Sequence, residues 1–191
     1  MRFLHAFIQL NHTKMEQRKE VPQMNFRLLT HHDSENYRAL RLHALHELPA
    51  HFASSFEIEK QKSIEEIIEE ISPSASSFFM GAFNDTLLVG IAGFKQEPLE
   101  KMKHRGQILG MYISPSMRGR GLGKKLLTAL ISKINENTAI ERVDLAVSID
   151  NAKAITLYES LGFDTYGKYK NALKLDDGYV DEAYMALDLN R

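Results

Sequence analysis

The sequence contains no cysteine among its 191 residues. This absence excludes disulfide bonds, metal sites built on thiolates and a cysteine nucleophile. It therefore also excludes a two-step reaction in which an acyl group rests on a cysteine of the enzyme. A chain of this length is expected to form one domain and to bury a core without covalent cross-links.

The sequence also lacks an excess of charge and a long apolar run. Its 24 Lys and Arg residues balance 25 Asp and Glu residues, for a formal net charge of −1. A nucleic-acid-binding face would need clustered basic residues, so no nucleic-acid partner is expected. No stretch reaches the roughly 20 apolar residues that span a bilayer. We therefore expect no membrane partner and, by default, a cytoplasmic protein.

The first ten residues, MRFLHAFIQL, are apolar but do not resemble a signal peptide. The run is short, contains His5 and leads into polar sequence without a small-residue cleavage site. We interpret residues 1–23 as an N-terminal tail or extension and residues 24–191 as the domain.

Apolar periodicity and turn residues predict alternating strands and helices. Strands are predicted at 25–30, 77–83, 87–94, 107–114, 142–149, 163–169 and 180–189. Helices are predicted from Asp33 or Ser34 to a point before Pro49, at 63–71, from Leu122 onward and at 151–161. The order β-α-α-β-β-β-α-β-α-β-β indicates an α/β fold with helices layered on a mixed sheet.

A glycine-rich run, RGRGLG at 118–123, lies between a predicted strand and a predicted helix. Glycine reaches positive φ at little cost, so such a loop can turn its backbone N–H groups toward an anion. The following helix directs its positive end to the same point. Arg118, Arg120 and Lys124 add positive charge. The sequence therefore predicts a pyrophosphate-binding loop.

Two common phosphate-binding motifs do not fit this run. The P-loop motif G-x-x-x-x-G-K-[ST] fails because Lys125 follows Gly123-Lys124 and Arg118 stands where the first glycine is needed. The dinucleotide motif G-x-G-x-x-G fails because Lys124 occupies the place of the third glycine. A nucleotide-binding protein is therefore disfavoured.

The spacing R-x-x-G-x-G at 118–123 resembles the acetyl-coenzyme A loop of the GNAT N-acetyltransferase superfamily. A second block at 151–163, NAKAITLYESLGF, is similar to the family pattern N-x-x-A-x-x-x-Y-x-x-x-G-F. The resemblance covers the chain from about Met24 onward. It implies a mixed, mostly antiparallel central sheet flanked by helices, with a cleft between two splayed strands. It also implies acetyl-CoA as cosubstrate, no metal, and an amine-bearing acceptor, either a small molecule or a protein.

The resemblance further implies which residues contact the cofactor. Backbone groups would come from the strand before the loop, and the remaining contacts from the loop and the second block. The expected set is Met111, Tyr112, Ile113, Arg118, Gly119, Arg120, Gly121, Leu122, Gly123, Lys124, Asn151 and Tyr158. For Asn151 the sequence allows a second role as the N-cap of the following helix, a role that Asp150 could also fill.

Two residues are candidates for acid–base catalysis. Tyr158 matches the family tyrosine that donates a hydrogen bond or a proton to the departing thiolate, although its position is also consistent with core packing. Glu97, at the end of a predicted strand, is the candidate general base. Glu100 and His104 lie in the adjoining loop, where an ordinary solvated charge is the competing interpretation. By resemblance, a water chain could also replace a dedicated base.

A cluster of histidines, His43, His46 and His51, does not predict a metal site. The sequence HALHE at 43–47 matches neither H-E-x-x-H nor H-x-x-E-H. Side chains of this helix are expected at a surface or at the edge of the cleft. By resemblance, the connection that follows the helix belongs to the acceptor wall, and its Phe52 and Phe56 are expected either to line a pocket there or to pack in the core.

Three hypotheses of function stay open at the level of sequence. The first is an N-acetyltransferase that moves acetyl from acetyl-CoA to a primary amine by direct attack. The second is an enzyme of the same fold with a longer acyl donor, and the third is a non-catalytic acyl-CoA-binding sensor. The resemblance also allows a homodimer, because the last strands of this family often join across subunits.

Overall fold

The computed structural model describes residues 24–189, and the tail expected at 1–23 lies outside them. Seven strands form one sheet: β1 Met24–Leu28, β2 Ser77–Asn84, β3 Leu87–Gln96, β4 Arg105–Ile113, β5 Arg142–Ser148, β6 Asp164–Leu175 and β7 Gly178–Asp188. Their order across the sheet is β1-β2-β3-β4-β5-β7-β6. Neighbouring strands are antiparallel except for the parallel pair β4 and β5. The expected mixed, mostly antiparallel sheet is confirmed.

Helices cover both faces of this sheet: α1 Ser34–Glu47, α2 Phe56–Gln61, α3 Ile64–Ile71, α4 Leu122–Asn135 and α5 Ala152–Glu159. Phe79 of β2 shares a buried cluster with Tyr37 of α1 and Ile67 of α3. Its neighbour Phe78 belongs to the cluster of α4, with Leu126. Because both faces are covered, β2 and β3 are apolar at nearly every position rather than at every second one. Among the helices described here, none is long and apolar enough to cross a membrane.

The parallel strands β4 and β5 meet only where both begin. Backbone pairing joins 105–107 to 142–144 and then stops. The buried carboxylate of Asp144 accepts hydrogen bonds from Arg105 Nη2 at 2.8 Å and from Arg142 Nε at 3.1 Å. Farther along, β4 has a bulge against β3, and Gly110 there adopts a φ of 63°. Since a bulge bends its strand, β4 and β5 separate toward their carboxyl ends.

Two elements differ from the sequence prediction. Helix α2 was not predicted, because its six residues, FEIEKQ, are too few for apolar periodicity to show. Strand β6 extends to Leu175, well beyond the predicted end at residue 169. It lies at the edge of the sheet and is mostly exposed, so its second half lacks the apolar alternation on which the prediction depended.

Candidate functional site

The gap between β4 and β5 opens into a cleft of about 750 Å³. Its walls are the carboxyl halves of the two strands, the loop before α4, the first turns of α5 and the connection after α1. Because β4 pairs with β5 only through residue 107, the backbone groups of 108–113 that face β5 have no strand partner. A ligand that contains amide groups can add to the sheet along this edge.

The glycines of the loop before α4 have two different roles. Gly119 and Gly121 adopt φ values of 75° and 72°, and a Cβ at either position would meet nothing within 4 Å. At Gly123 a Cβ would lie 3.1 Å from Leu157 Cδ2 and 3.3 Å from Met111 Cε. The first two glycines therefore let the loop curl, whereas the third lets α4 pack closely on α5 and β4.

The beginning of α4 presents unpaired backbone amides to the cleft. The first hydrogen bond of the helix runs from the Lys125 N–H to the Gly121 carbonyl, at 3.2 Å. The amides of Leu122, Gly123 and Lys124 precede that bond and have no partner within the helix. All three residues line the cleft. Together with the positive end of the helix dipole, these amides are able to bind an anion.

Arg118, expected to add positive charge to this loop, is paired with a carboxylate. Its two Nη atoms each lie 2.8 Å from a carboxylate oxygen of Glu47, the last residue of α1, and its Nε donates to the Ile113 carbonyl at 2.9 Å. Hydrogen bonding to Glu47 raises the pKa of Arg118, and the same contact lowers the pKa of Glu47. Arg118 therefore connects the loop to α1 and β4 at the edge of the cleft.

Glu47 also binds Tyr112 of β4. The Tyr112 hydroxyl donates a hydrogen bond to Glu47 Oε2, and His43 Nδ1 lies 2.7 Å from the same hydroxyl. Since the hydroxyl proton is directed at Glu47, His43 must be the donor in its own contact. Burial, followed by the bond to Glu47, raises the pKa of Tyr112. We call His43, Glu47, Tyr112 and Arg118 the Glu47 network.

The Glu47 network could hardly be predicted from the sequence. Glu47 and Arg118 are 71 positions apart, and nothing in the spacing pairs them. The only signal was that His43 and Glu47 share a helix face. Within residues 24–189 no group of three or more His, Asp or Glu side chains could hold a metal ion.

Tyr158 of α5 lines the cleft. Its ring is buried against Phe163, with ring centroids 5.8 Å apart. Burial alone raises the pKa of Tyr158 to about 12, so the hydroxyl is protonated at neutral pH. The Tyr158 side chain therefore packs in the core and also lines the cleft.

Asn151 caps α5 and also lines the cleft. Its Oδ1 accepts a hydrogen bond from the Ala154 N–H at 3.2 Å, and its Nδ2 lies 3.4 Å from His51 Nδ1. The capping role that the sequence allowed is thus observed. His51 and Asp150 stand beside it in the cleft wall, and both carry groups that can accept a proton.

Two of the residues predicted for the site lie away from the cleft. Glu97 follows the end of β3, next to the beginning of β4, whereas the cleft is at the opposite end of β4. Its Oε1 accepts a hydrogen bond from Gln107 Nε2 at 2.8 Å. The connectivity could have shown this, because the end of one hairpin strand adjoins the beginning of the next. Arg120 is exposed and is not part of the cleft wall.

The connection after α1 lines the cleft in part. Leu48, His51 and Phe52, in the connection after α1, line the cleft. Phe56 does not, since it begins α2 and stacks on His46 with ring centroids 5.7 Å apart.

A family model described as the acetyltransferase (GNAT) family matches residues 42–163. This stretch is more than half of the chain and includes every residue that lines the cleft. The chain belongs to the GNAT acetyltransferase family. The subfamily is not resolved.

Curated GNAT relatives match part of the chain. The L-amino acid N-acetyltransferase AaaT of Escherichia coli (strain K12) is 31% identical over 77 residues, which are 40% of this chain and 48% of the relative. The [ribosomal protein bS18]-alanine N-acetyltransferase of Salmonella typhimurium is 35% identical over 83 residues, which are 44% of this chain and 55% of the relative. The matched segments thus span about half the length of the curated relatives.

Solved GNAT structures match nearly the whole described fold. An acetyltransferase of the GNAT family from Streptococcus pneumoniae superposes with a TM-score of 0.77 at 20% identity, covering 87% of this chain and 100% of that one. YncA from Salmonella typhimurium, solved with its cofactor acetyl-CoA, gives a TM-score of 0.74 at 19% identity, covering 88% and 95%. At these identities the likeness is one of fold.

Proposed function

We propose that this protein is an N-acetyltransferase that moves acetyl from acetyl-CoA to a primary amine by direct attack. The observation that supports this most is the continuity of the cleft. The amino end of α4, the unpaired edge of β4 and Tyr158 of α5 all line the same cleft. These three features match the chemistry of a pyrophosphate, an amide-containing arm and a thioester.

The relatives support an amine as acceptor. One is named for acetylating L-amino acids and another for acetylating an alanine of a ribosomal protein. Both names describe acetyl transfer to nitrogen. Because the matched segments span only about half of these relatives, the acceptor of this chain is proposed here at the level of a primary amine.

In the proposed complex, backbone groups of 111–113 pair with the pantetheine arm, and the amides of Gly119 to Lys124 surround the pyrophosphate. Arg118 contributes by holding the loop to Glu47 and to the Ile113 carbonyl. Asn151 lies in the opposite wall of the cleft, where it can contact the cofactor and cap α5 at the same time.

In the proposed reaction, the amine nitrogen attacks the acetyl carbonyl carbon, and the carbon–sulfur bond then breaks to release the thiolate of coenzyme A. Holding both reactants in line supplies much of the acceleration. Tyr158 donates a hydrogen bond to the departing sulfur. Because its pKa of about 12 exceeds the ~8.5 typical of a thiol, hydrogen bonding is favoured over complete proton transfer.

The proton of the attacking amine needs an acceptor. Glu97 is remote from the cleft, so the proposal moves this role to His51 or Asp150, acting directly or through water. Either residue is within the wall that faces β4. A His51→Gln variant and an Asp150→Asn variant, compared by pH–rate profile, distinguish the two.

The experiment that tests the proposed function combines binding with turnover. Calorimetric titration with acetyl-CoA measures whether the cleft binds the cofactor. Release of free thiol is then followed with a panel of amines, and mass spectrometry of the product shows whether acetyl has moved to nitrogen. Binding without thiol release for any amine would favour the non-catalytic sensor. The same assay with longer acyl-CoA donors tests the second alternative.

A further inference from the structure

Three tyrosines form an aromatic patch on the outer strands of the sheet. The ring centroid of Tyr184 lies 6.2 Å from that of Tyr166 and 6.3 Å from that of Tyr169. Tyr166 and Tyr169 of β6 are 53% and 58% exposed, whereas Tyr184 of β7 is partly buried. We call Tyr166, Tyr169 and Tyr184 the tyrosine patch. Exposed aromatic rings grouped in this way are typical of a binding surface.

Glu182 is a carboxylate beside this patch that has no bonding partner. It stands directly opposite Tyr169 in the pairing of β6 with β7, and two positions before Tyr184. All three side chains therefore lie on one face of the sheet. Within residues 24–189 the Glu182 carboxylate makes no hydrogen bond and no ion pair. The residue is partly buried, and burial alone raises the pKa of its carboxyl group. A positive charge placed here would replace the solvation that the carboxylate has lost.

The tyrosine patch adjoins the cleft through β5. In the pairing of β5 with β7, Ser148 lies opposite Glu182 and Ala146 lies opposite Tyr184. Both of these β5 residues line the cleft, and Ala146 is exposed. Neighbouring strands are about 4.8 Å apart, so Glu182 is one strand away from the cleft wall. Because Glu182 is only partly buried, a ligand in the cleft can extend across β5 and reach its carboxylate.

The face of the sheet indicates which reactant would reach Glu182. Leu145 and Val147 of β5 pack in the cluster of α4, the helix that begins at the glycine-rich loop. Ala146 and Ser148 alternate onto the other face, where the connection after α1 contacts β5. In the proposed function the pyrophosphate lies at the start of α4. A group that lies over β5 and β7 on the other face would therefore belong to the acceptor.

One end of the tyrosine patch already contacts a cation of the protein itself. The Arg142 guanidinium lies 5.1 Å from the ring centroid of Tyr166. At the other end, neither a cation–π contact to Tyr169 nor an ion pair to Glu182 is formed within residues 24–189. Aromatic rings next to a carboxylate suit an ammonium group, which gains a cation–π contact and an ion pair at once. The open end of the patch therefore fits a cation from outside the chain.

We propose that the acceptor carries a second positive charge, and that Glu182, Tyr169 and Tyr184 bind this charge while the reacting amine lies in the cleft. This inference rests on the proposed function and narrows the acceptor to amines with a distal ammonium group, such as diamines and polyamines. The three residues set specificity and take no part in bond making or breaking.

The test compares acceptors that differ only in the charge at the far end. Alkanediamines of about three to eight carbons are each compared with the amino alcohol of the same length, in which a neutral hydroxyl replaces the second ammonium. An alkyl ammonium has a pKa near 10.4, so it is charged at neutral pH. We expect kcat/KM for at least one diamine to exceed that of its amino alcohol by tenfold or more, well above the twofold that follows from having two amines. Amino alcohols as good as the diamines at every length would overturn the inference.

The variant Glu182→Gln locates the preference. It keeps the size of the side chain and removes its charge, so we expect the diamine-over-amino-alcohol ratio to fall about tenfold, chiefly through KM. The matched control is Asp177→Asn, which removes one negative charge from the exposed turn between β6 and β7. It should leave the ratio within about twofold. An unchanged ratio in a folded Glu182→Gln protein, or equal losses in the two variants, would contradict the assignment.

The variant Tyr169→Leu tests the aromatic part of the site. We expect the same ratio to fall roughly threefold, whereas Tyr179→Leu, at another exposed position, should leave it unchanged. Sedimentation of the same proteins shows whether a second copy of the chain covers the patch instead. If Tyr169→Leu changes the oligomeric state and leaves the ratio unaltered, the patch is a subunit interface and the inference is overturned.

Direct binding separates this inference from the proposed function. Each diamine and its amino alcohol are titrated calorimetrically into the protein saturated with coenzyme A, and only the diamine should bind in a Glu182-dependent way. Turnover of amines with no preference for a second charge would overturn the inference and leave the proposed function standing. Glu182-dependent binding of a diamine without turnover of any amine would remove the proposed function and leave the cation-binding site.

Discussion

Tyr158 offers a substitution that changes one atom at the cleft and leaves the core intact. Tyr158→Phe keeps the ring that packs on Phe163 and removes the hydroxyl. We expect kcat to fall about 100-fold, since the leaving thiolate loses its donor. The Kd for acetyl-CoA should stay within about twofold, because the hydroxyl acts mainly in the transition state. Steady-state kinetics and calorimetry measure the two quantities.

The pKa of Tyr158 adds a pH criterion to this prediction. Burial raises it to about 12, so the protonated form that donates is retained well above pH 7. Loss of activity between pH 7 and 10 is therefore not expected from this group. Tyr179→Phe, at an exposed position of β7, is the matched control. An unaltered kcat in Tyr158→Phe would remove the residue from the mechanism.

Arg118 and Arg120 are two positions apart and should respond differently to salt. The charge of Arg118 is balanced by Glu47, and we propose that Arg118 holds the loop in place. Arg118→Ala should raise the Kd for acetyl-CoA roughly tenfold at both about 0.05 M and about 0.5 M NaCl. Arg120→Ala, which removes an exposed charge, should raise it roughly twofold at low salt only, because salt screens such charges.

The variant Glu47→Gln tests the role of Arg118 by changing the partner of its ion pair. If Arg118 acts through loop geometry, this variant should weaken acetyl-CoA binding as Arg118→Ala does. If instead Arg118 bound phosphate directly, freeing it from Glu47 would tighten binding. Tighter binding in Glu47→Gln would therefore contradict the positional role.

At the level of strands, the parallel pair β4 and β5 is joined at its base by Asp144. Asp144→Asn would weaken the bonds to Arg105 and Arg142 and leave two guanidinium groups poorly paired. We expect the free energy of unfolding to fall by about 2 kcal/mol. This expected loss of unfolding free energy is smaller than the loss for a fully buried ion pair, because the two arginine side chains are 34% and 31% exposed. Denaturant unfolding measures it.

The control for this prediction is also on the sheet. Asp188 of β7 binds Arg142 Nη1 at 3.1 Å, but its side chain is 74% exposed. Asp188→Asn should therefore cost less than about 0.5 kcal/mol. Equal losses of unfolding free energy in the two variants would mean that the carboxylate of Asp144 stabilises the sheet no more than an exposed carboxylate does.

Strands and helices with strong apolar patterns were predictable, and those with weak patterns were not. The predicted boundaries of β2 and β3 lie within a few residues of the observed ones, because the apolar runs of these strands are interrupted only by the turn at 85–86. Helix α2 is too short for its period to show, and the second half of β6 is a polar edge strand. In both cases tertiary contacts, rather than local pattern, decide the structure.

At the scale of the whole protein, one part of the site is built from residues that are contiguous in sequence, and another part from residues that are far apart in sequence. The cofactor loop is contiguous in sequence, so its glycines and helix start could be predicted from the spacing alone. The pairing of Glu47 with Arg118 joins distant segments, and no motif encodes it. The position of Glu97 was mispredicted for the simpler reason that strand direction was not followed.

The sequence and the cleft together also constrain the kinetic mechanism, that is, the order in which the substrates bind and react. The absence of cysteine and the cleft between β4 and β5 predict a ternary complex rather than an acetylated enzyme. Initial velocities with both substrates varied should give intersecting double-reciprocal lines. Labelled acetyl-CoA incubated without acceptor should leave no label on the protein. Parallel lines, together with label on the chain, would show that another side chain carries the acetyl group.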